Sequence, residues 1–169
     1  MLLGIPLHSF AASDNLQTVI RIYGEIVGPT CKIKNEDLFV DFGTLTSKDL
    51  IWHGRSTSQN FAIEFECDAE DSYEVAVSFT GQETFYNDLQ RRIIIAGDTP
   101  ANPWGIAIQL TTENSTSIPI NAQTLTYSIK DSSALNFKAF VEASQSAINR
   151  KNIRLGEFNA LANFLVEYQ

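Results

Sequence analysis

Polar and apolar residues alternate along most of this 169-residue chain. Successive side chains of a strand point to opposite faces, so period-two alternation predicts half-buried strands. The pattern is clearest at the C-terminal end, from Gly156 to Gln169. Phe158, Ala160, Ala162, Phe164, Val166 and Tyr168 share one face there, and Glu157, Asn159, Asn163, Glu167 and Gln169 the other. Leu161 and Leu165 are apolar exceptions on the polar face. Further strands are predicted at Leu16–Val27, Leu38–Gly43, Asn60–Cys67, Tyr73–Thr80, Arg92–Gly97, Trp104–Thr111, Ser117–Ile120, Thr124–Lys130 and Leu135–Ala143. Phe61, Ile63, Phe65 and Cys67 fall on one face of their strand, as do Val75, Val77 and Phe79 of theirs. Phe137, Ala139 and Val141 oppose Phe140 in the same way. No segment carries a helical stripe over three turns. Many short strands separated by turn residues predict an all-β sandwich or barrel.

The N-terminal part divides in two. Leu2, Leu3, Ile5, Pro6, Leu7 and Phe10 form an apolar stretch, and Ser9-Phe10-Ala11 offers small residues around a cleavage point. Residues 1–12 are therefore expected to be the tail of a secretion signal whose basic beginning lies upstream. In residues 13–28, Leu16, Thr18, Ile20, Ile22, Gly24 and Ile26 share one face, while Gln17, Arg21, Tyr23 and Glu25 share the other. Pro29 cannot donate to a ladder and marks a break. Residues 29–169 then suit one domain, large enough for a core without a metal.

Composition narrows the functions. A net charge of −8 and no basic cluster beyond Arg91-Arg92 argue against binding nucleic-acid phosphates. No apolar run is long enough to span a membrane as a helix. His53 is the only histidine outside the first twelve residues, so a Ser-His-Asp site has little support, and Trp52-His53-Gly54 is expected in a surface loop. Asp68, Glu70 and Asp71 suit a solvated turn. An enzyme is not expected, nor a cofactor. The two cysteines, Cys31 and Cys67, are an even pair suited to an oxidising compartment. A bridge would close a loop of about 37 residues, worth roughly 4 kcal/mol. Two buried thiols are the alternative, and a metal site lacks partner ligands nearby.

The C-terminal pattern resembles that of chaperone–usher pilus subunits. In that family a Gly stands fourteenth from the end and a Tyr is penultimate, with apolar residues in alternate places between. Gly156 and Tyr168 occupy those two positions here, with Ala162, Phe164 and Val166 between them. Cys31-Lys-Ile33, Val40-Asp-Phe-Gly43, Phe65-Glu-Cys67, Gly105-Ile-Ala-Ile-Gln109 and Ile118-Pro-Ile120 resemble further motifs of the family in the same order. Residues 13–28 resemble its donor segment, with Gly24 at the family's tight point. The likeness runs from about Asp14 to Gln169.

The resemblance implies an incomplete immunoglobulin-like sandwich lacking its final strand, with Cys31 and Cys67 bridged. A periplasmic chaperone would lend the missing strand, and the next subunit would then replace it after passage through an outer-membrane usher. Such β-augmentation takes affinity from ladder bonds and register from side-chain pockets. It implies Thr18, Ile20, Ile22, Gly24 and Ile26 as donor residues. It implies Gly156, Phe158, Ala160, Ala162, Phe164, Val166, Tyr168 and Gln169 as the acceptor edge that also meets the chaperone. The subunit would pass through the periplasm to a cell-surface adhesive fimbria, with neighbouring subunits and possible contact with a tip adhesin, as a minor or tip-adaptor component. Two alternatives stand beside this: a complete sandwich lectin stacking sugars on Trp52, Tyr86 and Trp104, and a terminator subunit that accepts a strand but donates none.

Overall fold

The alternating segments fold as two packed β-sheets. The computed structural model describes residues 21, 23, 24, 31–68, 72–86, 88, 90–122, 125–131 and 133–169. The strands are β1 (Cys31–Ile33), β2 (Gln59–Cys67), β3 (Ser72–Gly81), β4 (Glu83–Phe85), β5 (Arg91–Ile94), β6 (Ile106–Thr112), β7 (Ser117–Ile118), β8 (Leu125–Lys130), β9 (Ala134–Ala143) and β10 (Ala162–Tyr168). One sheet runs β1-β2-β9-β6-β5-β4, with β7 against β6, and the other runs β10-β3-β8. Every described pairing is antiparallel.

The alternation decides which face is buried. Ile63 and Phe65 of β2, Val75, Val77 and Phe79 of β3, Ile106, Ile108 and Leu110 of β6, Ile129 of β8, and Phe137, Ala139 and Val141 of β9 form the core between the sheets. Phe137 is at its centre. It stacks on Phe61 at 5.5 Å and meets Phe79 and Tyr127 edge-on at 5.2 and 5.9 Å, spacings that aromatic pairs favour. Cys31 and Cys67 are opposite one another in the β1–β2 register and are disulfide-bonded.

Two helices depart from the all-strand expectation. They are α1 (Ser47–His53) and α2 (Gln145–Arg150). Each is too short to show a stripe over three turns, so periodicity cannot reveal it. Their caps account for them. Thr46 accepts from the Asp49 N–H at 3.1 Å, Ser144 accepts from the Ala147 N–H at 3.1 Å, and Gly54 and Lys151 close the C-termini in the left-handed conformation. Trp52-His53-Gly54, expected in a loop, is the end of α1; Trp52 is exposed there as a loop residue would be.

Strand limits also shift. The expected Arg92–Gly97, Trp104–Thr111 and Ser117–Ile120 strands begin or end within a few residues of β5, β6 and β7, and β1 and β4 are additional. Leu38–Gly43, predicted as a strand, has no ladder partner among the described residues. The final strand is paired only over Ala162–Tyr168, because residues 157–161 leave the ladder; there the Asn159 carbonyl accepts instead from the Ala96 N–H at 2.8 Å. The expected leader at residues 1–12 lies outside the described residues, as do Thr18, Ile20, Ile22 and Ile26 of the donor segment.

Candidate strand-accepting groove

The edge β10 is hydrogen-bonded to β3 on one side, in a register running from Ala162 opposite Gly81 to Tyr168 opposite Val75. No described strand pairs its other side. The facing wall is built from the chain after β1. The Lys34 N–H still bonds the Glu64 carbonyl at 2.9 Å. Asn35 then replaces the ladder with its side chain, donating to the Ala62 carbonyl and accepting from the Glu64 N–H, both at 2.8 Å. Beyond it the main chain peels away from β2. Through residues 38–43 the alternation persists without a ladder: Leu38, Val40 and Phe42 pack against the core, and Phe39, Asp41 and Gly43 are exposed. Asp41 accepts from the Gly43 N–H at 2.8 Å where Gly43 adopts a positive φ of 61°.

Between these walls lies a cleft of about 740 Å³, lined by Ile33, Leu38, Phe39, Phe164, Val166 and Tyr168 among others. Its floor is apolar and open. Val75, Val77 and Phe79 of the adjoining β3 are buried, whereas Phe158, Ala160, Ala162, Phe164 and Val166 are only partly covered. Side chains that pack on a core yet remain half open mark a sheet edge whose neighbour is missing. Lys32, Glu36 and Asp37 form a charged rim. Leu161 and Leu165, which broke the polar face in the sequence pattern, are exposed outside the core.

Contacts across both ends span the two walls. At one end the Tyr168 hydroxyl donates to the Cys31 carbonyl. At the other, the Phe158 ring lies 6.4 Å from Phe42 and 6.4 Å from Trp104. Gly156, at φ 133°, turns the chain beside Trp104 so that Phe158 enters the core side. Gln169 is exposed and its N–H bonds the Glu74 carbonyl at 3.0 Å, continuing the β10–β3 ladder by one residue.

The structure thus brings the seven residues Phe158, Ala160, Ala162, Phe164, Val166, Tyr168 and Gln169 of the C-terminal pattern onto one edge strand and its approach, with Gly156 at the turn before them. Of the donor residues only Gly24 is described, and it is exposed, with no heavy atom within 4 Å of where a Cβ would stand. The opposite wall, Ile33, Leu38, Val40 and Phe42, is not among the acceptor residues expected from the sequence. Their alternation was legible, but that their ladder goes unmade was not. The proposed sugar-stacking aromatics do not converge. Trp104 is buried with its indole N–H on the Ala96 carbonyl at 3.1 Å, Tyr86 bonds the Glu142 carbonyl at 3.3 Å, and Trp52 lies exposed on α1. His53 is exposed, its ring nitrogen 3.1 Å from the Asp49 carbonyl of its own helix. Among the described residues, no three His, Cys, Asp or Glu side chains converge as metal ligands, and no helix is long and apolar enough to cross a membrane.

Known proteins share this architecture. A family model described as "Fimbrial protein" matches residues 20–169. A protein of Proteus mirabilis (strain HI4320), named for a minor fimbrial subunit, PmfF, is 28% identical over 165 residues, covering 95% of this chain and 90% of that one. The crystal structure of the P pilus rod subunit PapA superposes with a TM-score of 0.65 at 25% identity, over 82% of this chain and 99% of that one. A chaperone–usher pilus structure bearing on rod uncoiling superposes with a TM-score of 0.65 at 24% identity, over 90% and 96%.

Proposed function

Since the chain belongs to the fimbrial protein family of chaperone–usher pilus subunits, we propose that it is a minor subunit that joins neighbours by donor-strand exchange. The groove between residues 31–43 and β10 receives a strand, first from a periplasmic chaperone and then from the next subunit delivered through the usher. Thr18, Ile20, Ile22, Gly24 and Ile26 supply that strand to another copy or neighbour. The assembled chain lies in a cell-surface fimbria, as a tip adaptor beneath an adhesin, and serves a structural role in adhesion.

One observation carries this reading: the core-facing side chains of the edge strand β10 and of the unpaired extended segment 38–42 facing it are half open. An inserted strand could pair with both and cover that floor, and each apolar side chain it buried would contribute about 1.5–3 kcal/mol. The P. mirabilis relative's name supports a minor subunit, and the chaperone–usher pilus likeness supports a polymerising one.

The test fuses residues 13–28 after Gln169 through a short flexible linker and compares thermal unfolding of the oxidised chain with and without it. A filled groove is expected to raise Tm by more than about 10 °C and to suppress aggregation. An unfused chain that is already a stable monomer, with no gain on fusion, would overturn the proposal.

A further inference from the structure

The outer face of the larger sheet should meet water, yet it holds buried polar side chains. Strand β6 directs Ile106, Ile108 and Leu110 into the core, so Ala107, Gln109 and Thr111 face outward. Gln109 and Thr111 are nevertheless only 3% and 5% exposed, and Arg92 of neighbouring β5 is 2% exposed. Register places Gln109 opposite Phe140 of β9 and Thr111 opposite Lys138. The segment 55–58 borders one side: the Ser56 N–H bonds the Val141 carbonyl at 2.8 Å, and Ser56 Oγ accepts from the Val141 N–H at 3.0 Å. Asp88, Gln90 and β7 border the other. Together they enclose a cleft of about 520 Å³ that shares no residue with the strand-accepting groove, a size suited to a small ligand.

Two unmet requirements define what would fill it. Gln109 Nε2 donates to the Leu110 carbonyl at 2.9 Å and to Ser117 Oγ at 2.8 Å, and lies 3.3 Å from the Ile118 carbonyl. Those carbonyls fix the orientation of the amide, because turning it would set oxygen against oxygen. Gln109 Oε1 is left buried without a hydrogen-bond partner among the described residues, and it needs a donor. The charges are uneven as well. Arg92 is held by both Asp88 and Glu142. Arg55 lies over the Phe140 ring at 5.1 Å, and Lys138 donates only to the Glu113 carbonyl at 2.7 Å. No described carboxylate pairs with Arg55 or Lys138, in a chain whose net charge is −8.

We propose that this cleft binds a small acidic saccharide, its hydroxyls donating towards Gln109 and the neighbouring Thr and Ser side chains and its carboxylate lying between Arg55 and Lys138. A neutral sugar leaves both cations unmatched. A simple carboxylate leaves the Gln109 acceptor unmatched. An acidic peptide strand would need a free ladder edge, and β6 and β9 are paired on both sides here. The inference does not depend on strand exchange.

Titration calorimetry of the full chain with digalacturonate tests it, with a neutral galactose disaccharide and a capped triglutamate peptide as comparators. Saturable binding of digalacturonate is expected, weakened about tenfold or more when Arg55→Ala and Lys138→Ala are combined and reduced by added salt. Arg55 is exposed and Lys138 half-buried, so neither substitution empties the core, and Gln109→Glu, which sets a like charge beside the ligand, is a second variant expected to weaken binding. Absence of saturable binding, binding unchanged in the charge variants, or tighter binding of the peptide at the same residues would each overturn the proposal.

Discussion

Single side chains set the strength of the two packed surfaces in different ways. Phe137 touches Phe61, Phe79 and Tyr127 and is buried. Phe137→Ala removes those contacts and leaves a cavity that strands on both sides cannot close, so a loss of about 3–5 kcal/mol is expected in urea unfolding. On the outer face, the hydrogen bonds from Arg92 are the foremost cause that holds the Asp88 carboxyl below the usual carboxylate range. Burial acts to lower the Arg92 pKa, but its bonds to Asp88 and Glu142 outweigh this and raise it. A depressed carboxylate pKa stabilises the fold above its unfolded value, near 4, and that share is lost as pH falls through the lower folded value. Asp88 is largely exposed, so the share is small. Asp88→Asn is expected to narrow the difference in urea midpoint between pH 7 and pH 3. An unchanged difference would show that Arg92 does not depend on this partner. Arg92 was legible as a strand residue, but its burial on the outer face was not, because alternation marks a side and cannot say what covers it.

At the scale of elements, the joints between strands and helices depend on close approach. Gly105 enters β6 at φ +75°, and a Cβ there would stand 2.8 Å from the Ala147 Cβ of α2 and 3.2 Å from the Asn152 carbonyl. The Gly105 carbonyl accepts from the Ser144 N–H at 2.9 Å, tying α2 against the strand. Gly105→Ala combines an unfavourable backbone conformation with a clash, and a loss of about 1–3 kcal/mol is expected, checked by thermal unfolding alongside Gly97→Ala. Gly97 also has a positive φ but nothing within 4 Å of its Cβ, so the excess cost of Gly105→Ala measures the α2 contact. The glycine was visible in the sequence as part of a Gly-Ile-x-apolar run. The helix that makes it necessary was not, since six residues of α2 are too few to establish a 3.6-residue period.

The described residues form a sandwich of two sheets with a groove between β10 and residues 31–43. The Cys31–Cys67 bridge ties the start of one groove wall to β2 across a sequence separation of 36. Replacing both cysteines with Ser is expected to cost about 4 kcal/mol by chain entropy, read as a fall in the urea midpoint relative to the oxidised chain. An equal midpoint for both would mean that β1 is held by its ladder alone. The two faces of β2, β3, β9 and β10 were determined by the sequence, because each side chain's polarity assigns it to one side of a period-two element regardless of what lies beyond. The even pair of cysteines likewise announced a possible bridge. Only the tertiary structure decided that, among the described residues, Leu38–Gly43 keeps its inward face without a ladder and β10 has a partner on one side alone, and that Gln109 and Arg92 lie buried outside the core. Strand pairing and coverage are relations between distant segments, and local periodicity contains no term for a neighbour that is missing.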